Sequence, residues 1–162
     1  MRVEESRPED RSFFIDSWKA MLDETIAMQD PVIPIEQTIN NGARRYDAYL
    51  NGQTLGMCQI VREEQGENVG FALWGDEVGQ MPGMQEYATV WGLYLTPRHR
   101  KEKLANYVLE EARVVAKDMG YKGAQWTVNT VNPASLAVGQ RFIENTGGSP
   151  TTIMSVFYRS DF

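Results

Sequence analysis

The sequence predicts an α/β domain in which a mixed, mostly antiparallel central sheet is flanked by helices on both faces. Strand-like and helix-like segments are interspersed in both halves of the chain, so helices are available to cover each face of one sheet. The 162 residues, 42% apolar and 23% charged, suffice for one core without disulfides or metal. No repeat or linker interrupts the chain, and residues 1–162 are therefore expected to form a single domain.

A short strand and an amphipathic helix open the chain. Residues 2–6 are predicted to form the strand, and Asp10 or Ser12 to cap the helix. Apolar side chains then recur every three or four positions as far as about Met28, as expected for one face of a helix. They are Phe13, Phe14, Trp18, Met21, Leu22 and Ile26. Two prolines interrupt this pattern, and Ile35–Ala43 predicts a second, shorter helix.

The middle of the chain contains the clearest hairpin pattern. Tyr46–Leu50 and Leu55–Val61 are rich in apolar residues and flank Asn51-Gly52. Asn-Gly favours a two-residue hairpin turn because both residues tolerate positive φ angles. Val69–Trp74 predicts a further strand, whereas Gly75–Met84, with its acids, glycines and proline, predicts a loop.

The C-terminal half alternates between strands and helices. Thr89–Leu95 is β-branched and aromatic, which predicts a buried strand. A helix is predicted from Lys101 to Met119, with Gly120 ending it. The remaining predicted elements are a strand at Gln125–Val128, a helix at Pro133–Asn145 capped by Asn132, and a last strand at Thr152–Tyr158.

The composition argues against several classes of protein. A formal net charge of −6 disfavours nucleic-acid binding, which requires a basic surface. One cysteine, Cys58, and one histidine, His99, supply neither an internal disulfide nor a metal cluster. The first residues lack a secretory signal, and no apolar run is long enough to span a membrane. We therefore expect a cytoplasmic protein with no metal, no nucleic-acid partner and no membrane association.

A basic bend is the most informative local feature. Between Arg98 and Lys103 there are four basic residues and one acid, a local charge of +3 that leaves −9 for the rest of the chain. Helices ordinarily favour acids in their first turn, because the N-terminal end of the helix dipole is positive. Cations at that end become favourable when an anion such as a phosphate binds there. From the residues alone, a phosphate site and an ordinary solvated turn remain about equally open.

The segment around this bend resembles the acetyl-CoA-binding motif of the GNAT N-acetyltransferases. In that family an L-x-V strand leads through a proline to Q/R-x-x-G-x-G/A, and a helix follows. Here Leu93–Leu95 and Pro97 precede the motif, with Arg100 at its first position and Ala105 at its last. Lys103 stands where the family has its middle glycine.

Other segments match the family at the expected spacing. Trp126-x-Val128-x-x-x-Asn132 resembles L-x-V-x-x-x-N, and Arg141–Gly147 resembles R-F-Y-E-x-x-G. Met1–Val3 together with Arg7–Asp10 resembles the family's first strand and the start of its first helix. The resemblance covers nearly the whole chain except Glu63–Gln85, and it implies an N-acyltransferase whose co-substrate is acetyl-CoA or another acyl-CoA.

The resemblance also implies where the coenzyme binds. In the family the pantetheine arm lies between two splayed central strands, where it bonds to exposed backbone much as an added strand does. Gly92 is then expected to mark the bulge that opens the sheet, and a backbone N–H there to stabilise the oxyanion formed when an amine attacks the thioester. The coenzyme-binding residues implied are Leu93, Tyr94, Leu95, Arg100, Lys101, Glu102, Lys103, Leu104, Ala105, Asn132 and Ser135.

Proton transfer is where the sequence departs from the family. The position that often carries a glutamate is Thr89, and the position of the usual tyrosine in the last helix is Ile143. Glu86 is the nearest carboxylate and the candidate base. Tyr107 is the candidate acid, and Tyr94 and Tyr158 are alternatives with an equal claim. An alkylamine has a pKa of about 10 and must lose a proton before it attacks.

Three hypotheses therefore remain open. The first is transfer by proximity with water as the proton relay, the second is a displaced acid–base pair, and the third is a coenzyme-binding or regulatory module without catalysis. An interaction protein that binds no coenzyme is a further alternative. The expected acceptor is an amine of a small molecule or a peptide, and the acidic balance favours a cationic one. The resemblance also leaves open a homodimer formed through the sheet edges or the final strand.

Overall fold

A computed structural model of the chain describes residues 1–26, 34–81, 86–100, 103–126 and 132–146. The strands in this part are β1 Arg2–Glu5, β2 Gly56–Arg62, β3 Asn68–Gly75, β4 Tyr87–Leu95 and β5 Gly123–Trp126. The α-helices are α1 Arg11–Ile26, α2 Ile35–Leu50, α3 Leu104–Asp118 and α4 Pro133–Thr146. Short 3₁₀ turns lie at Pro8–Asp10 and Pro97–His99.

The five strands form one sheet in which their spatial order is their chain order, β1-β2-β3-β4-β5. Strands β1 to β4 pair antiparallel, and β5 pairs parallel with β4. The parallel pair requires a crossover, which α3 supplies between the two strands. The sheet is therefore mixed and mostly antiparallel, as the sequence predicted.

Helices cover both faces of this sheet. Helices α1 and α2 bury Phe14, Trp18 and Tyr46 against Phe71 and Tyr94 on one face. On the other face, α3 packs against an apolar cluster drawn from β2, β3 and β4. Helix α4 contacts α3, and its Phe142 ring meets Trp126 of β5 edge to face, with the ring centroids 5.3 Å apart.

The predicted hairpin is wrong in its first arm. Tyr46–Leu50 is the end of α2, which therefore runs past the predicted end at Ala43. Gly52, at φ 64°, takes the left-handed conformation that ends a helix, and Gln53 N–H donates to Ala48 O at 2.8 Å. The tolerance of Asn-Gly for unusual φ angles thus serves a helix C-terminus instead of a hairpin. The second arm is correct, and it forms β2.

The start of the first helix also differs from the prediction. Neither Asp10 nor Ser12 caps α1, which begins at Arg11 after the 3₁₀ turn. The buried Asp10 carboxylate instead accepts hydrogen bonds from Arg7 N–H at 2.9 Å and from Arg62 Nη2 at 2.7 Å. Asp10 therefore links this turn to the end of β2.

The other predicted elements have mixed outcomes. The predictions for β1, β3 and β4 are confirmed, Gly120 ends α3 with φ 94°, and α4 begins at Pro133. Helix α3 starts at Leu104 instead of Lys101. The predicted last strand Thr152–Tyr158 and the end of the strand at Val128 lie outside the described residues. None of the helices in the described part combines the length and apolar character needed to cross a bilayer.

Candidate functional site

A bulge interrupts β4 at Trp91. Leu73 of β3 pairs with Gly92, but the next residue, Trp74, pairs with Val90, so Trp91 has no partner on β3. A side chain at Gly92 would collide with Trp18 of α1, since a Cβ there would lie 2.6 Å from Cζ3 of that ring. The expectation that Gly92 marks a bulge is therefore confirmed, and α1 packs directly on it.

The backbone after the bulge presents polar groups on the side away from β3. Thr96 N–H donates to Val69 O of β3 at 2.8 Å, and the Leu95 carbonyl of the same trans peptide therefore points the opposite way. Because strand residues alternate, Leu93 directs its N–H and carbonyl to that side as well, whereas Tyr94 directs its own toward β3. Leu93 and Leu95 are thus better placed than Tyr94 to bond a ligand.

Strand β5 does not reach these groups within the described part of the chain. Its pairing with β4 runs from Tyr87 with Gly123 to Val90 with Trp126. Among the described residues, no strand pairs with Leu93 or Leu95 on the side where β5 lies. Within the described part of the chain this stretch is therefore an open edge, on which an extended ligand can form strand-like hydrogen bonds.

The N-terminus of α3 follows shortly after this edge. Lys103 is the N-cap residue, its side chain is exposed and makes no capping hydrogen bond, and the first turn carries no acid. The first backbone N–H groups of a helix have no partners within it, and the helix dipole adds partial positive charge. Leu104 and Ala105 pack against the core and contribute these backbone groups. Lys101 and Glu102 lie outside the described residues.

Arg100 is held by two partners at the end of β4. Its Nη2 donates to Glu24 Oε1 of α1 at 2.7 Å, and its Nε–H donates to Leu95 O at 2.8 Å. The guanidinium also lies over the Tyr94 ring, 5.3 Å from the centroid. The hydrogen bond to Glu24 raises the pKa of Arg100 above its ordinary value. Arg100 is therefore directed toward α1.

His99 fastens the bend to the turn between β2 and β3. One ring nitrogen lies 2.7 Å from Thr96 Oγ1 and the other 2.7 Å from Glu63 Oε1. Both nitrogens are thus engaged in positioning the turn. Cys58 is a buried thiol whose pKa is raised by burial, which agrees with a packing role.

Asn132 and Ser135 lie at the start of α4. The Asn132 Oδ1 atom accepts a hydrogen bond from Ser135 N–H at 3.0 Å, so Asn132 caps the helix as predicted. The side-chain carbonyl of Asn132 is engaged in this cap. The coenzyme-binding role of both residues stays a prediction.

The two candidate catalytic residues are not brought together. Glu86 forms an ion pair with Lys122, and both side chains are more than 60% exposed. It precedes Trp91 by five residues, which is about 16 Å along an extended strand. Tyr107 is exposed in the first turn of α3. Thr89 accepts a hydrogen bond from Gln125 Nε2 at 3.2 Å, and the side chain of Ile143 lies outside the described residues.

Sequence reasoning missed a cluster beside the bulge. The Arg45 guanidinium lies 3.8 Å from the centroid of a Trp91 ring and pairs with Glu77 at 2.5 Å. Trp91 Nε1 donates to the Tyr49 hydroxyl at 2.9 Å, and burial raises the pKa of that hydroxyl. Arg45 and Tyr49 are four residues apart and share one face of α2. This spacing becomes informative only once the segment is recognised as helical.

The sequence and the fold can be compared with known proteins. Residues 12–142 match the Acetyltransferase (GNAT) family. The chain belongs to the GNAT acetyltransferase family. Among curated proteins, none matches the sequence significantly.

Solved GNAT acetyltransferases share the fold of this family member along nearly its full length. A GCN5-related N-acetyltransferase from Ralstonia eutropha JMP134 is similar with a TM-score of 0.67 and 16% identity, over 97% of each chain. The aminoglycoside N-acetyltransferase AAC(6')-Iy, in complex with a CoA-linked bisubstrate analog, is similar with a TM-score of 0.60 and 15% identity, over 99% of this chain and 98% of that one. A complex of the same enzyme with CoA has a TM-score of 0.59 and 15% identity, over 98% and 93%.

Proposed function

We propose that this GNAT protein is an acyl-CoA-dependent N-acyltransferase that moves an acetyl group from acetyl-CoA to an amine of a small molecule or peptide. The observation that carries the proposal is the geometry after the bulge in β4. The backbone groups of Leu93 and Leu95 face an edge that no described strand covers, and the cationic N-terminus of α3 lies just beyond. An extended arm fits the edge, and the phosphates to which it is joined fit the helix end.

The transfer needs few side chains. The amine nitrogen attacks the thioester carbonyl carbon, a C–N bond forms, and the carbonyl oxygen becomes negative. The Leu93 N–H, directed to the open edge beside the bulge, is our proposed donor to this oxyanion. The C–S bond then breaks, the coenzyme leaves as a thiolate, and the proton lost by the amine ends on that sulfur.

Water is our proposed proton relay. Glu86 is paired with exposed Lys122 and lies about 16 Å along the strand from the bulge, beyond the reach of a hydrogen bond to a substrate there. Holding the amine against the thioester supplies much of the rate by itself. An amine that is already neutral is then sufficient for attack.

Two features favour a cationic, amine-bearing acceptor. The net charge of −6 favours a cationic acceptor. The similar fold of an aminoglycoside N-acetyltransferase also supports an amine-bearing small molecule. The homodimer, the cytoplasmic location and the absence of a metal stay predictions from the sequence.

Thiol release from acetyl-CoA with a panel of amines tests the proposal. We expect release above the no-amine background for at least one amine, and a loss of about tenfold or more in kcat/KM for Lys103→Glu, which reverses charge at the phosphate end. Lys117→Glu makes the same change in the last turn of α3 and is the matched control, with release retained. Equal losses in both variants would contradict the proposed phosphate position.

A coenzyme-binding module without catalysis is the second candidate. It is favoured by the distance of Glu86 from the bulge and by Thr89 at the position where many relatives have a glutamate. Saturable binding of acetyl-CoA with no thiol release for any amine would support it. If thiol release is observed, Glu86→Gln distinguishes water as the proton relay from Glu86 as the base. We expect thiol release to change by less than about twofold unless Glu86 is the base.

A further inference from the structure

The sheet-facing stripe of α1 ends in a carboxylate. Phe14, Trp18 and Met21 follow one another at helical spacing and pack toward the sheet. Met21 lies against the bulge, since a Cβ at Gly92 would be 3.2 Å from its Cε. Glu24 comes three residues after Met21 and therefore continues the same face of the helix. This places a negative charge beside the last residues of β4.

Arg100 connects that carboxylate to the open edge. Its Nη2 donates to Glu24 Oε1 at 2.7 Å, while its Nε–H donates to Leu95 O at 2.8 Å. The Leu95 carbonyl points away from β3 and is the last strand carbonyl on the open side. An amide N–H of an extended ligand on this edge needs the same carbonyl. Arg100 thus fills the position of a ligand donor, and Glu24 fills the position of an anion paired with Arg100.

We propose that the Glu24–Arg100 pair is a latch that closes the end of the coenzyme edge and opens when the coenzyme binds. The inference rests on the proposed function, since it concerns regulation of the same site. In the latch, an amide N–H of the pantetheine arm along β4 replaces the Arg100 Nε–H on Leu95 O. The guanidinium exchanges the Glu24 carboxylate for a coenzyme phosphate, which forms a charge-assisted pair of the same kind.

Release of Arg100 has a consequence for α1. The last turn of this helix loses its ion pair to Arg100, while Trp18 and Met21 remain packed at the bulge. Coenzyme binding and the order of the end of α1 are therefore coupled. The pair is about two-fifths exposed on each side, so its strength is modest and a ligand phosphate competes with it readily.

The alternative is that the Glu24–Arg100 pair is a permanent structural contact that stays in place when the coenzyme binds. If Arg100 must stay on Glu24 to shape the bend, loosening the pair weakens coenzyme binding. If the pair is a latch, loosening it strengthens coenzyme binding. Glu24→Gln keeps the size and removes the charge, so the two roles predict changes of opposite sign. Asp23→Asn is the matched control, being exposed and adjacent on α1.

Titration calorimetry with CoA on the full chain tests the latch. We expect Glu24→Gln to bind CoA about two- to fivefold more tightly than the wild type, as suits the loss of one exposed ion pair, with Asp23→Asn unchanged. In the wild type, CoA should also speed hydrogen exchange in the last turn of α1, and Glu24→Gln should exchange fast without CoA.

Three results would overturn the latch. Unchanged or weaker CoA binding by Glu24→Gln, while the wild type binds, refutes the latch and leaves the proposed function standing. Equal tightening by Asp23→Asn attributes the effect to net charge and also refutes it. No CoA binding by the wild type refutes the proposed function and the latch together. Thermal unfolding of each variant verifies that it is folded.

Discussion

Trp18 of α1 fits against the bulge of β4 because Gly92 has no side chain: a Cβ there would lie 2.6 Å from Cζ3 of the indole. The same indole lies against Gly42 of α2, where a Cβ would be 2.4 Å from Cε2. One ring therefore joins two helices to the strand that carries the candidate site. Substitutions at the two glycines distinguish an effect on packing from an effect on function, because only Gly92 adjoins the bulge at Trp91.

Gly92→Ala should lower both stability and coenzyme affinity. The added methyl group pushes on Trp18 and shifts the strand next to Leu93, at a cost of about 1–3 kcal/mol in the free energy of unfolding. Gly42→Ala pushes on the same ring from α2, and helix propensity offsets part of its cost. Denaturant unfolding and CoA titration measure the two effects. A loss of affinity that is as large in Gly42→Ala would show that the bulge is not specifically involved.

Lys103→Asp should separate stability from binding. An acidic side chain at the start of the helix complements the helix dipole, so we expect the free energy of unfolding to rise by about 0.3–1 kcal/mol. The same change puts a negative charge where we place the phosphates, and CoA affinity should fall at least tenfold. Thermal unfolding and calorimetry on one preparation measure both. Higher stability with undiminished CoA affinity would place the phosphates elsewhere.

Asp10 should make stability depend on pH in the acid range. Burial alone would raise the pKa of its carboxyl, but hydrogen bonds from Arg62, the Arg7 N–H and Asn68 outweigh burial and lower that pKa. A carboxyl with a lowered pKa in the folded state stabilises the protein above its unfolded pKa of about 3.9, and this stabilisation is lost as pH falls through the folded pKa.

Asp10→Asn should therefore cost about 2 kcal/mol at pH 7, because Arg62 loses a buried charged partner. The difference from the wild type should shrink as the pH falls below about 4. Denaturant unfolding between pH 7 and pH 3 measures it. Asp16→Asn, on the exposed side of α1, is the control and should change little. A difference that stays constant down to pH 3 would contradict the role of the charge.

Much of this fold was predictable because local patterns agree with the tertiary structure. Some patterns predict only one local structure. The apolar run at Thr89–Leu95 predicts a strand, the asparagine and proline at the start of α4 predict a helix start, and Gly120 predicts a helix end. The hairpin prediction failed because Asn51-Gly52 suits both a turn and a helix C-terminus. The segment is helical because this conformation buries both Tyr46 and Tyr49, which are three residues apart, against the sheet.

The site was predictable only in part. The bulge beside Gly92 and the basic start of α3 follow from residue types in one short segment. The partners of Arg100 and Trp91 do not, because Glu24, Arg45 and Tyr49 come from helices 42 to 76 residues away in the chain. Such contacts depend on how α1 and α2 cross the sheet, which spacing alone does not specify.

Titration of acetyl-CoA into the wild-type protein tests most directly whether coenzyme phosphates bind at the start of α3 beside the open edge of β4. We expect saturable one-to-one binding that weakens as salt is added and falls at least tenfold when Arg98 and Lys103 are both changed to glutamate. Absence of heat with the wild type, or an unchanged affinity in the double variant, would contradict this position of the coenzyme.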